Sequence, residues 1–234
     1  MATRKSQYTE EQIAEQIVGW LSESEWTVYQ EVQRYPHGAI ADIVAIQGKL
    51  LWIIETKTVL GVDVMEQAFN WLHHAHLVSV GVPKAYRGST AFKQRVLRLL
   101  GVGCLTVSNP WDGWVVTEEV KPQFMRRLIP GFREVLRPEH QTWAKAGNNR
   151  SERYSPFKAT CRAVADYVLA NPGVSLKELV ENIPTHYHTT ATARSCLKIW
   201  IESGNVKGVQ MKREGRLIKL YPIVTGKQIG RAHV

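Results

Sequence analysis

Asp42 and the triplet Glu55-Thr56-Lys57 bracket a stretch, DIVAIQGKLLWIIETK, that otherwise consists of core-forming Val, Ile, Leu and Trp. Gln47-Gly48-Lys49-Leu50 has the form of a two-residue hairpin loop, with Gly48 at the first central position as a type II′ turn prefers. The ladder then pairs Gln47 with Leu50, Val44 with Ile53 and, continuing outward, Asp42 with Glu55, with Cβ atoms about 4.5–5.5 Å apart. Alternation along the strand puts Lys57 on the face of Glu55 and turns Thr56 away. Two carboxylates facing each other at the end of an apolar hairpin repel, and burial raises the free energy of both charges. A divalent cation resolves that conflict. Mg²⁺ takes oxygen ligands, keeps several waters and is commonly held by two carboxylates plus a substrate phosphate. A lysine beside the metal can position or deprotonate the attacking water and offset charge building on a phosphorane. A structural ion pair needs only one acid and one amine, so the second acid points to metal-assisted phosphodiester hydrolysis.

The surrounding sequence supplies elements to hold these groups. Thr9–Ser24 places Ile13, Ile17, Trp20 and Leu21 at helical spacing behind Thr9 as N-cap. Trp26–Val32 reads as a strand and Asp42–Thr58 as two more. Val62–His76 reads as a helix, Leu77–Val82 as a strand ending at Pro83, Ser89–Leu100 as a basic amphipathic helix and Val102–Val107 as a further strand. Trp111–Val120 adds an edge hairpin. Helix, three strands, helix, strand, helix, strand predicts an α/β fold with a mixed central sheet flanked by helices.

Asp42, twelve intervening residues and Glu55-Thr56-Lys57, with a strand before the Asp and a helix after the Lys, resemble the bipartite signature of the PD-(D/E)xK nuclease superfamily. The resemblance covers about residues 9–108 and departs at Ala41, where the signature has Pro. It implies a restriction-endonuclease-like core and Mg²⁺-dependent cleavage, with Mn²⁺ able to substitute. Asp42 and Glu55 would hold the metal and Lys57 would be catalytic. Members often add an acid from the first helix or strand. Glu31 in YQEV is the first choice, with Glu10, Glu11 and Glu15 competing. Gln67-Ala-Phe-Asn-Trp71 resembles the Gln-x-x-x-Tyr element of RecB-like members, which implies that Gln67 touches substrate or positions the lysine. His73, His74 and His76 place only two rings on one helix face with no completing ligand, so they read as surface residues.

Charge divides the chain. Residues 1–136 hold 14 Lys+Arg against 14 Asp+Glu, and residues 137–234 hold 16 against 7, so the whole surplus lies C-terminally. A confined basic surplus points to a polyanion, most often nucleic acid. Residues 137–155 lose apolar periodicity and read as a linker. Residues 156–224 read as three short helices and a basic hairpin, a winged helix-turn-helix domain. Its candidate recognition helix offers Thr189, Thr190, Arg194 and Lys198, with Leu197, Trp200 and Ile201 as its buried side. The wing carries Lys207, Lys212, Arg213, Arg216 and Lys219 around a turn at Arg213–Gly215.

The expected domains are therefore 1–136 (nuclease-like), 137–155 (linker) and 156–224 (DNA-binding). Residues 225–234 are expected to be a non-native tail, because IGRAHV can be encoded by a sequence resembling a common sequencing adapter. Three scattered cysteines indicate neither a disulfide framework nor a zinc ribbon, and no apolar run is long enough to span a membrane. The expectation is a soluble, cytoplasmic, Mg²⁺-dependent DNA endonuclease of phage or defence origin. A homodimer would serve double-strand cleavage. The alternative is a catalytically inactive DNA-binding regulator or phage accessory protein on the same scaffold.

Overall fold

Thr9 opens the first helix by capping it. Its hydroxyl accepts the Gln12 amide at 3.1 Å while the Gln12 side chain accepts the Thr9 amide at 3.0 Å. Two donors that a helix start leaves unpaired are thereby satisfied. The computed structural model describes residues 8–34, 38–85, 90–143, 145–147, 154–215 and 217–223. The chain divides into two compact units, Met1–Tyr154 and Ser155–Val234.

In the first unit, α1 (Glu10–Glu23) precedes β1 (Thr27–Gln33), β2 (Ile40–Gln47), β3 (Leu50–Thr56), α2 (Val62–Asn70), β4 (Leu77–Pro83), α3 (Thr90–Leu100), β5 (Gly103–Ser108) and β6 (Val115–Val120). The six strands form one sheet in chain order. β2 runs antiparallel to both β1 and β3, β3, β4 and β5 run parallel, and β6 returns antiparallel along the edge. The parallel pairs need crossovers, which α2 and α3 provide. Ile13, Ile17 and Leu21 of α1 are fully buried against Ile43, Trp52 and Ile54 on one face of the sheet. Val64, Ala68 and Trp71 from the α2 region and Leu97 of α3 pack with Val44, Ile53 and Val80 on the other. Truncating any of the three α1 residues to Ala would cost about 2–5 kcal/mol. With both faces covered, β3 to β5 read as near-continuous apolar runs.

The hairpin forms as expected. Gln47 pairs with Leu50, Val44 with Ile53 and Ile43 with Ile54, and Gly48 takes φ +56 at the first loop position. β1 pairs Gln30 with Ile43 and Val32 with Ala41. Glu31, Asp42 and Glu55 therefore stand at facing register positions on three adjacent strands.

Three expectations for this unit change. The helix expected over 62–76 ends at Asn70, because Trp71 turns inward and the chain must reverse to feed β4. His73 adopts φ +66 in that turn, so the three histidines do not share a helix. His74 and His76 are half-buried rather than superficial: His74 meets Arg34 at 2.5 Å and His76 Nδ1 accepts the Leu51 amide at 3.1 Å. The expected linker begins as part of the first unit. His140 and Ala146 are buried, Ala146 donates its amide to Gln30 Oε1 at 2.9 Å, and Lys145 pairs with Glu15 at 3.3 Å. The Gly and charges that read as linker are there because the segment crosses the surface by α1.

The second unit holds α4 (Pro156–Ala170), β7 (Val174–Ser175), α5 (Leu176–Asn182), α6 (Thr190–Glu202), β8 (Val209–Glu214) and β9 (Leu217–Pro222). Its three strands are ordered β7-β9-β8. Ser155, Ser175 and Thr189 cap the three helices, each hydroxyl accepting the amide three residues on. The buried stripe of α6 is Ala193, Leu197 and Ile201, four residues apart. Trp200, expected in that stripe, is instead partly exposed with its ring 5.0 Å from Phe157. Arg213 pairs with Ile218 and Glu214 with Leu217, so these two residues, expected in the turn, belong to the strand ladder. Arg216 and the expected tail lie outside the described residues. Among the described residues no helix is long and apolar enough to cross a membrane.

Candidate active site

The C-terminal end of β3 and the start of β2 meet at one edge of the sheet, beside the first turn of α1. Asp42 Oδ2 accepts two hydrogen bonds from one residue, the Thr56 amide at 2.8 Å and the Thr56 hydroxyl at 3.0 Å. Thr56 thus holds Asp42 rather than turning away from it. Its methyl faces the α1 side of the sheet: a Cβ added at Gly81 would lie 2.3 Å from Ile17 Cδ1 and 3.3 Å from Thr56 Cγ2. The absent side chain at 81 is what lets α1 and Thr56 close on each other.

Glu55 is turned towards the α2 side. Its Oε1 accepts the Trp71 indole N–H at 2.6 Å, and its side chain is buried. Glu55, Gln67, Asn70 and Trp71 line a cleft of ≈ 220 Å³ with Ala39 and Ile40. Gln67, Asn70 and Trp71 fall at i, i+3 and i+4, so the end of α2 presents all three to one place.

Lys57 reaches across to α1, where its ammonium donates to Glu10 Oε2 at 3.1 Å. It does not stay with Glu55, because Lys57 lies one residue beyond the strand and its long chain is free to seek the helix start. Among the competing acids the structure brings Glu10 to the lysine. Gly147 fixes Glu10 from outside: φ there is +76, and an added Cβ would meet the Glu10 carbonyl carbon at 2.5 Å. Glu15 pairs with Lys145 instead. Glu31 is buried and has φ +54, which interrupts the two-residue alternation so that Tyr29 and Val32, three apart, pack in the same cluster.

The electrostatics tie these groups together. Burial raises the Asp42 pKa above the usual carboxylate range, against the Thr56 bonds and Lys57, while Glu10 adds to the rise. Burial and then the neighbouring Asp42 push Glu55 up to about 8, against the Trp71 bond and Lys57. Burial pulls Lys57 down, but Glu10, Asp42 and Glu55 together outweigh it and hold the ammonium above its ordinary value. Lys57 is therefore a fixed cation at neutral pH, not a proton acceptor. A buried and a part-buried carboxyl, both raised by burial, offer hard oxygen donors of the kind a small divalent cation takes, and a carboxylate has lone pairs to spare beyond these bonds. Among the described residues no group of three or more His, Cys, Asp or Glu converges as a ready metal cage. Glu31 is thus not brought into a three-carboxylate set.

In the second unit Thr190, Arg194 and Lys198 are exposed on α6 at four-residue spacing, with Lys198 4.0 Å from Glu202. The Thr189 hydroxyl is used as the cap of α6, accepting from Thr192. Lys207 and Arg213 are exposed. Lys212 lies 5.3 Å from the Tyr221 ring, and Lys219 pairs with Glu214 at 3.0 Å, so two wing cations are engaged within the hairpin. Sequence reasoning missed Thr56 and Gly147, which carry no charge and show their roles only once β3 and α1 are side by side.

No protein-family model matches the chain, and no curated protein matches it. A solved structure of a protein of unknown function from Silicibacter pomeroyi aligns over 56% of this chain and 82% of its own, at 17% identity and a TM-score of 0.40.

Proposed function

We propose that the protein is a Mg²⁺-dependent DNA endonuclease with a PD-(D/E)xK-type, restriction-endonuclease-like first unit and a winged-helix second unit that delivers it to DNA. The observation that carries the reading is a buried and a part-buried carboxyl at the end of one hairpin, both raised by burial and Glu55 raised further by Asp42, with a lysine ammonium within their field. Asp42 and Glu55 would hold the cation, which when bound supplies Lewis-acid polarisation of the phosphate and a more acidic water. Thr56 aims Asp42 by two hydrogen bonds that favour its ionised form against the effect of burial. Trp71 orients Glu55, and Gln67 and Asn70 offer amide groups in the same cleft for a backbone phosphate. Lys57 contributes positive charge where the phosphorane develops negative charge, with Glu10 setting where its ammonium stands.

The helix, strand, two helices and hairpin of the second unit follow the order of a winged helix. In this reading Thr190, Arg194 and Lys198 of α6 enter the major groove, and Lys207 and Arg213 hold phosphates. Incubating DNA with Mg²⁺ or Mn²⁺ and the wild type, Asp42→Asn, Glu55→Gln and Lys57→Ala tests the proposal. Wild type should cut, leaving 5′-phosphate ends, and each variant should lose at least about a hundredfold in rate. Equal cutting by Lys57→Ala would sink the mechanism.

A second reading is favoured by one observation: Asp42, Glu55 and Lys57 each have their own protein partner, Thr56, Trp71 and Glu10. It is a non-cleaving DNA-binding regulator that keeps the scaffold. Salt-sensitive DNA binding with neither metal uptake nor cutting would select it.

A further inference from the structure

We propose that Trp111 stacks on an unpaired base, so that the substrate is DNA carrying single-stranded nucleotides beside the cleavage point; this deepens the nuclease reading and rests on it. The chain holds eight tryptophans. Seven of them pack against another ring: Trp20 and Trp26 on Trp52, Trp71 on Phe132, Trp114 on Tyr8, Trp143 on Tyr154 and Trp200 on Phe157. Trp111 is 99% exposed. A flat apolar ring held wholly in solvent, while its seven counterparts each lie against another ring, is placed for a ligand that comes and goes.

Its backbone is set for display. Trp111 follows Pro110 in a 3-10 turn closed by the Gly113 amide donating to the Pro110 carbonyl at 3.1 Å. Its own φ is +56, a conformation that a bulky residue adopts rarely and that holds the ring out of the turn. Trp114, three residues on, anchors the turn through Tyr8 and the α1-side core. The platform is therefore tied down on one side and bare on the other.

Topology puts the platform on the correct edge. β3, β4 and β5 are parallel, so their C-terminal ends share one side of the sheet. Thr56 is level with Gly81, and Gly81 with Leu105; Ser108 ends β5 three residues further on. Two strand spacings of about 4.8 Å and a few residues at about 3.3 Å put Trp111 on the order of 15 Å from Lys57. That is a few nucleotides at about 3.4 Å each. Lys84, at the end of β4, lies on the same edge. Aromatic stacking needs a base whose face is open, which a paired and stacked duplex does not offer, whereas a tail or flap does.

The test compares a labelled blunt duplex with the same duplex bearing a short single-stranded tail, by fluorescence anisotropy without divalent cation so that nothing is cut. Using the ratio of the two affinities cancels whatever the second unit contributes to both. One stacked base corresponds to about 5–150-fold in affinity. Wild type should prefer the tailed duplex by about tenfold or more, Trp111→Ala should bring the ratio near one, and Trp111→Phe should keep most of the preference. A wild-type ratio retained by Trp111→Ala, with wild-type cleavage intact, would overturn this inference and leave the nuclease reading standing. So would an equal loss on both substrates, or a change of oligomeric mass in Trp111→Ala, which would assign the ring to a protein interface. Wild type that binds neither DNA would bring down both.

Discussion

Replacing Glu55 with Gln should make the protein more stable while abolishing its activity. The amide keeps the length of the side chain and the oxygen that accepts from Trp71 Nε1, but it cannot ionise. In the fold Glu55 titrates at about 8, against an ordinary 4.5, because burial and Asp42 oppose its charge. A carboxyl raised by folding binds its proton more tightly folded than unfolded. Stability is therefore fully present below 4.5 and is lost as pH rises towards 8. Each pH unit in that window removes about 1.4 kcal/mol, so the deficit reaches up to about 3 kcal/mol by pH 7. Glu55→Gln removes the deficit. Urea unfolding with EDTA at pH 4.5, 6, 7 and 8 gives the difference directly, and tryptophan fluorescence reports chiefly on the first unit, which holds seven of the eight tryptophans. The variant should match wild type near pH 4.5 and exceed it by about 1–3 kcal/mol at pH 7–8. Saturating Mg²⁺ should close the gap by stabilising wild type alone, about 2.7 kcal/mol at a hundred times Kd. A stability difference that does not change across this range would refute the claim that Glu55 is held protonated at a strained site.

At the proposed site Mg²⁺ would displace the proton from Glu55, so its affinity, followed by calorimetry, should weaken by up to about tenfold per unit as pH falls below 8. Gly147→Ala drives a methyl group into the Glu10 backbone at a positive φ; it should lower stability by about 1–3 kcal/mol and reduce cleavage further than a comparable change at exposed Gly204, where an added Cβ meets nothing within 4 Å. Arg194→Ala should weaken DNA binding, and if Arg194 holds a phosphate the slope of log affinity against log salt should drop by about one; an unchanged slope with relaxed sequence preference would place it on a base edge instead.

The hairpin was legible because three independent constraints agree: Gly48 admits the turn, apolar alternation fixes the register, and each strand has two faces to fill. Register then carries Asp42 to Glu55 without further information. The cap at Thr9 was legible for a similar reason, since it acts within four residues of itself. What failed was whatever depends on contact between distant segments. Residues 137–147 have linker composition, yet Ala146 and His140 are buried, because small and polar residues suit a segment laid across a helix as well as one in solvent. The helix over 62–76 stops early because Trp71 finds a hydrogen-bond acceptor, Glu55, that its own sequence neighbourhood does not announce. Alternation placed Lys57 with Glu55 and Thr56 away from Asp42. Alternation governs only residues inside a ladder, and Lys57 lies beyond its end.

That last difference changes the chemistry assigned to the lysine. A free amine near a metal could serve as a base, but here Glu10, Asp42 and Glu55 all favour the ammonium, and proton loss would leave three acids uncompensated. The charge is worth more than the lone pair at this position. A bound cation would weaken the case only in part, since it would neutralise Asp42 and Glu55 but leave Glu10 bonded to the lysine at 3.1 Å. In the proposed site Glu10 would thus have a role that neither carboxylate of the hairpin can fill: it would keep Lys57 charged and in place once a metal took the other two acids. In the proposed hydrolysis the proton of the attacking water would then leave to solvent or to a phosphate oxygen, and the first turn of α1, held by its capping box and by Gly147, would be part of the site rather than a support behind it.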